Sequence, residues 1–236
     1  MNKPNVKACL LLSWVSCMRT TPKQSIDEVR ETASMDSYCK DYKNETIELR
    51  AQRLISSYRQ LRADGKTNEN NDKAYFCLFP STFQEMEDLF GYSDGPGPLY
   101  DSKNLVKTYD NKDVSHSPYI FLFSTLKNIP NEVYFKKYIE ININGVWKAD
   151  HIEGGFLIAR PFLENTFNFS KVLKSYSDED IHSVFTFIFD GPHPDDSENH
   201  ALFKELRRAL GPVDTRLESL LEKAFTELLA NENHHH

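Results

Sequence analysis

The amino-acid sequence predicts a mainly α-helical protein folded as a single compact multi-helix domain, with room for a few short strands; an α+β arrangement is the alternative. Three observations carry this expectation. The 236 residues are enough to bury a sizeable core without dividing into separate units. The chain holds 16 Phe and 11 Tyr against only 9 Gly, a balance that favours packed helices over a turn-rich β fold. Apolar residues also recur at three- and four-residue spacing in segments bounded by residues that cap helices.

The N-terminus reads separately from the rest. Lys3 and Lys7 precede the apolar run from Ala8 to Ser16, and Cys17 follows. A basic start and a short apolar stretch are the physical pattern of an export signal, too short to span a bilayer as a helix. A small residue before a cysteine resembles the cleavage site of bacterial lipoproteins, which implies lipidation at Cys17; Trp14 departs from that pattern. A buried N-terminal helix is the alternative. The expected organisation is a leader over 1–17, a polar tether over 18–24, one helical domain over 25–233, and a purification-tag remnant at His234, His235 and His236.

Within the domain, Ile47, Ala51, Leu54, Ile55, Tyr58 and Leu61 fall on one helical face, with Gly65 placed to end it. Ile26, Val29 and Ala33 suggest an earlier turn or two. Residues 66–73 are polar and read as a loop. The apolar run 75–79 fits a strand or a buried helix equally well. Ser81 or Thr82 caps a helix with Phe83, Met86, Leu89 and Phe90 inside and Gly91 at its end. Gly95-Pro96-Gly97-Pro98 must be loop, and the chain stays polar through Asp113.

Ser117-Pro118 opens an apolar helix over 119–126, with proline at its tolerated first position. Asn128-Ile129-Pro130 breaks the pattern. The segment from Asn131 carries Ile139, Ile141 and Ile143, which alternate as in a strand, although Ile139, Ile143 and Val146 also suit a helix; helix is preferred. Ser177 with Asp180 approximates a capping box ahead of Ile181, Val184, Phe185, Ile188 and Phe189. Leu202, Leu206 and Leu210 line the next helix, which Gly211-Pro212 stops. Leu217, Leu220, Leu221, Ala224, Phe225, Leu228 and Leu229 stripe the last.

Charge narrows the functional classes. The 28 Lys and Arg against 35 Asp and Glu give a formal net charge of −7. A nucleic-acid surface draws its affinity from neutralised phosphates, so no nucleic-acid partner is expected. An acidic chain instead suits a basic protein partner. If the leader is removed and Cys17 is lipidated, Cys39 and Cys77 remain as a pair in an oxidising compartment, where a bridge would add about 4 kcal/mol on the chain-entropy model. In the cytoplasm both would be small buried side chains.

The densest polar chemistry is Asp190, His193, Asp195, Asp196, Glu198 and His200. Oxygen and imidazole donors this close suit a divalent cation, which makes a metal-binding protein or hydrolase using 190–200 one alternative function. An EF-hand is excluded, because counting from Asp195 puts His200 at the glycine position and Leu206 at the bidentate acid position. The favoured reading is a proline-stiffened loop whose acids face the next helix's N-terminus. No metal ligand and no cofactor is therefore assigned.

Trp147-Lys148-Ala149-Asp150-His151 places an acid beside an imidazole, but adjacent helical positions do not face one another. Trp147 itself is expected in the core, with an interface anchor as the alternative. There is no Gly-x-Ser-x-Gly elbow, His-Glu-x-x-His motif, phosphate loop or dinucleotide glycine fingerprint. No catalytic residue is assigned, and a non-enzymatic protein is expected.

Two stretches look familiar together: Phe79-Pro80-Ser81-Thr82-Phe83-Gln84-Glu85-Met86 with Gly91-Tyr92 and Pro98-Leu99-Tyr100-Asp101, and Phe189-Asp190-Gly191-Pro192-His193-Pro194. Gly145-Val146-Trp147-Lys148-Ala149-Asp150 lies between them. The combination resembles a bacterial envelope lipoprotein family, immunity-protein-like, of the kind expected beside secreted antibacterial toxins. The resemblance spans roughly residues 75 to 195 and transfers no catalytic role. It implies a periplasmic or envelope location, a membrane link only through an N-terminal lipid, and a secreted toxin as protein partner; a structural lipoprotein without a tight partner is the other alternative. Tyr92, Tyr100 and Asp101 are the residues nominated for partner contact.

Overall fold

Helix starts are fixed locally, by side chains that accept hydrogen bonds from otherwise unpaired first-turn amides. The computed structural model describes residues 35–42, 45–64, 68–91, 95–100, 107–109, 112–114, 118–147, 162–191 and 193–232. All of these fall in one compact unit, Thr32–His236; the other unit, Met1–Glu31, lies outside the described residues, and so do the leader, the tether, Cys17 and the turn anticipated around Ile26, Val29 and Ala33. Among the described residues there are ten α-helices and one small hairpin.

The first six helices are α1 (Met35–Tyr38), α2 (Ile47–Asp64), α3 (Glu69–Leu78), α4 (Phe83–Phe90), α5 (Pro118–Ser124) and α6 (Asn131–Asn142). The last four are α7 (Thr166–Leu173), α8 (Asp178–Phe189), α9 (Ser197–Leu210) and α10 (Thr215–Glu232). A 3₁₀ turn covers Lys40–Tyr42. Strands β1 (Lys107–Tyr109) and β2 (Lys112–Val114) pair antiparallel, with Thr108 opposite Asp113. The mainly α expectation holds.

Several elements follow the sequence pattern closely. Thr82 caps α4 by accepting from the Glu85 amide, and Glu85 Oε2 accepts from the Ser81 amide at 2.7 Å. Ser177 caps α8 in the same way, but the shorter Asp180 side chain takes its bond from the Ser177 hydroxyl at 2.8 Å. Gly91 ends α4, and Gly97 then lies so close to it that a Cβ would sit 2.6 Å from the Asp88 carbonyl oxygen. The segment from Asn131 is helix, and the apolar run 75–79 is the inner end of helix α3 with Phe79 as its cap.

The expected loop over 66–73 is corrected over its second half. Asn68 caps α3 by accepting from the Asn71 amide, so residues 69–73 are helical. These polar residues are tolerated because a first helical turn welcomes acids near its dipole. One of them is not at the surface. Asp72 is fully buried, and its Oδ2 accepts from the Asn128 amide at 3.1 Å and the Asn128 Nδ2 at 2.8 Å. That pair ties α3 to the turn between α5 and α6.

The core is unusually rich in rings. Phe79 stacks on Phe123 with centroids 4.1 Å apart, and Phe123 also meets Tyr134 and Tyr138. Phe162, Phe135 and Phe169 form a second group, and Phe189, Phe203 and Phe225 a third under α8 and α10. Each fully buried Phe contributes roughly 1.5–3 kcal/mol relative to exposure. Helix α8 is central: Phe187 is as buried as the stripe the sequence marked, because α8 packs on both α6 and α10.

Phe187 also fixes the turn after α6. Asn144 has φ 56°, donates its amide to Ser183 Oγ, and leads into Gly145. A Cβ at Gly145 would lie 2.2 Å from Phe187 Cδ1. Gly145→Ala is therefore expected to displace that ring and cost about 1–3 kcal/mol, read by urea unfolding. An unchanged midpoint would show that the ring yields without loss.

Candidate functional site

The polar residues after α8 are used in building the turn into α9. Asp190 Oδ2 accepts from the Trp147 amide at 2.6 Å, joining the segment after α6 to the end of α8. Asp196 caps α9 by accepting from the Asn199 amide at 2.7 Å. Asn199 Nδ2 donates to the carbonyls of Phe189 and Pro194. His200 Nε2 lies 2.7 Å from Asp195 Oδ1, and His193 and Glu198 are exposed. Among the described residues no three His, Cys, Asp or Glu side chains converge on a common point. The structure thus brings Asp195 and His200 together, while Asp190 and Asp196 serve the backbone.

The residues nominated for partner contact are placed only in part. Tyr100 is half-buried, in the turn that returns to Gly97, and donates its amide to the Gly97 carbonyl. Tyr92 and Asp101 lie outside the described residues, as do Asp150 and His151. Trp147 is neither core nor free surface; it is half-buried beside Asp190.

Two clefts flank helix α6 and share Glu140 on their walls. The first, of about 550 Å³, runs between α6 and α7, with Phe135, Lys136, Asn168, Lys171 and Tyr176 along it. Tyr176 and Glu140 face each other at 3.5 Å, and burial together with that carboxylate pushes the phenol above its ordinary range. Just before Asn168 stands Phe167, 69% exposed, the most exposed large apolar side chain among the described residues. Phe167 lies two positions from the buried Phe169, about 200° around the helix, so α7's core face cannot also bury it. The sequence reading missed it. The signal was present in Thr166-Phe167-Asn168-Phe169, where Phe169 and Leu173 define a face that excludes Phe167.

The second cleft, of about 690 Å³, opens between α1, α4 and the end of α6, with Met35, Thr82, Phe83, Ile143 and Val146 among its walls. Beside this region lies a buried amine. Lys137 is 1% exposed; its Nζ donates to the Phe76 carbonyl at 2.5 Å and sits 4.6 Å from the Phe76 ring centre. Phe76 is in the last turn of α3, where carbonyls lack intrahelical partners, and Pro80 has no N–H to offer it. No basic residue of α3 lies in that turn, so Lys137 brings the cation from α6. Burial lowers its pKa to about 7; Arg50 adds to this, and Glu85 and Glu140 partly offset it. Arg50 and Glu85 are themselves paired at 2.9 Å.

One residue beyond Phe76, Cys77 forms a disulfide with Cys39, with Cα atoms 5.3 Å apart. Residues 35–42 are thereby fixed over α3. Tyr38 meets the Phe76 ring edge-on at 5.9 Å and receives Lys73 over its own ring. Arg53 of α2 covers the Tyr42 ring and pairs with Glu45.

The chain matches no protein-family model, no curated protein and no solved structure. The likeness to envelope lipoproteins therefore rests on the sequence segments alone.

Proposed function

We propose that this chain is an exported envelope protein, lipid-anchored at Cys17, that binds a protein partner without catalysing a reaction. Its class is the immunity type, inhibiting a secreted antibacterial toxin. The observation that carries a binding role is Phe167, an aromatic ring left 69% exposed on α7, next in sequence to Asn168 of the cleft wall. A ring presented to solvent in this way is a ready anchor, since aromatic side chains are enriched among the residues that dominate binding interfaces. The disulfide supports an oxidising compartment. The net charge of −7 favours a basic partner, whose approach it would hasten. Inhibition would be steric, the surface covering the toxin's active site over an interface of about 1,600 Å² in total.

The test is a binding measurement with the secreted protein encoded beside it, followed by co-expression in a sensitive cell. A one-to-one complex and protection from toxicity are expected. Phe167→Ala should weaken the complex by at least about tenfold while leaving the melting temperature in place, as expected for a central aromatic anchor. No complex, or full protection from the Phe167→Ala protein, would overturn the reading.

A further inference from the structure

The geometry points to a redox-gated reactive amine: the Cys39–Cys77 disulfide holds residues 35–42 closed over Phe76 and Lys137, and its reduction opens that strap and exposes the Lys137 amine to carbonyl or activated acyl groups. This does not depend on the proposed toxin partner.

Three features of the packing lead to it. First, the lysine is held by few polar contacts. Among the described residues its one hydrogen bond is to the Phe76 carbonyl, and the same residue's ring faces it. Second, the strap forms part of the layer on Phe76, alongside the rings of Phe123 and Tyr134. Tyr38 packs against the Phe76 ring, α1 packs on α6, and Met35 lines the cleft that Glu140 also lines. Third, the strap is short. It consists of a four-residue helix and a 3₁₀ turn, neither able to persist alone, and the covalent tie at Cys39 holds it together with the Tyr38 and Tyr42 ring contacts. Such a segment opens at lower free energy than the core helices once the tie is cut.

The chemistry balances simply. A dithiol donates two electrons and two protons to Cys39–Cys77 and itself becomes a disulfide. The strap then moves off Phe76. Lys137 Nζ attacks the acyl carbon, the leaving group departs with its electron pair, and the nitrogen releases a proton to water. While the strap is closed, burial holds the amine at about 7 and out of reach; once opened to water it returns toward the ordinary lysine range and reacts through its neutral fraction, as accessible lysines do.

The full-length chain is treated with an N-hydroxysuccinimide acetate ester at pH 7.5, with and without a phosphine reductant. Acetylation at Lys137 is then measured by peptide mass spectrometry against the exposed Lys171. Reduction is expected to raise Lys137 acetylation at least about tenfold, in keeping with local opening, while Lys171 does not change. Cys39→Ser should reproduce this without reductant. Hydrogen exchange in α8 and α10 is followed in the same samples, because a reduced protein that unfolds throughout would also label. The inference is overturned by equal Lys137 labelling in oxidised and reduced protein. It is equally overturned if labelling rises only together with loss of protection in α8 and α10.

Discussion

Lys137→Met stabilises the protein at pH 7 by about 2 kcal/mol and confers almost no advantage at pH 9: this is the expected result of removing a buried cation. The direction follows from the proton count. Burial depresses the folded-state pKa from 10.5 to about 7, so between these values the unfolded chain carries a proton that the folded chain has released. Unfolding then takes up a proton, and stability rises with pH by about 1.4 kcal/mol per unit through that window. Below pH 7 both states are protonated and the penalty is constant. The charges acting on the amine come from α2 (Arg50), α4 (Glu85) and α6 (Glu140), and the Phe76 carbonyl belongs to α3. Methionine fills similar volume without the charge but leaves that carbonyl unpaired, which accounts for the convergence at high pH.

Urea unfolding of both proteins at pH 6, 7, 8 and 9 measures this. Tyr134 and Tyr138 are buried phenols whose ionisation is pushed upward, so their opposing pH dependence enters only above this range. Parallel stability curves for the two proteins would refute the assignment of a depressed amine.

Loss of the Cys39–Cys77 bridge is the second large effect. The cysteines are 38 residues apart, and closing a loop of that size is worth about 4 kcal/mol on the chain-entropy model. Cys39→Ser and Cys77→Ser should each lower the melting temperature by about 8–15 °C, given the enthalpy of a chain this long. The double variant should lose no more than either single one, since either change removes the whole constraint. Reductant should shift the wild-type protein to the same midpoint and leave the variants where they are. Additive losses in the double variant would mean that the side chains matter through packing and not through the bond.

The helices legible in the sequence are those with repeated apolar spacing and a clear cap, namely α2, α4, α8, α9 and α10. Their cores are set by local period, which a single chain displays. Helix α3 was only half visible, because its first turn is made of Glu69, Asn70, Asn71 and Asp72, and Asp72 is buried by bonds to a turn 56 residues away. Helix α7 is eight residues long and offers only Phe169 and Leu173 as a deep face, too few to establish a period. The clefts lie beyond sequence reading because each is walled by separate elements. Lys137 gave no sign either: beside Lys136 it looks like half of a charged surface pair, and only the fold sends one inward and the other outward.

The bond from Lys137 to the end of α3 also carries a consequence for inheritance. The Phe76 carbonyl is left unpaired by a chain that turns away at Phe79 and meets Pro80, and the remedy is supplied 61 residues later in the sequence. Either change alone leaves one group unpaired: an apolar residue at 137 relieves the buried charge yet strands the carbonyl, and a rebuilt turn that pairs the carbonyl strands the cation. Descendants of this chain should therefore alter the 79–80 turn and position 137 together, with lysine giving way to leucine or methionine wherever the turn learns to cap its own helix.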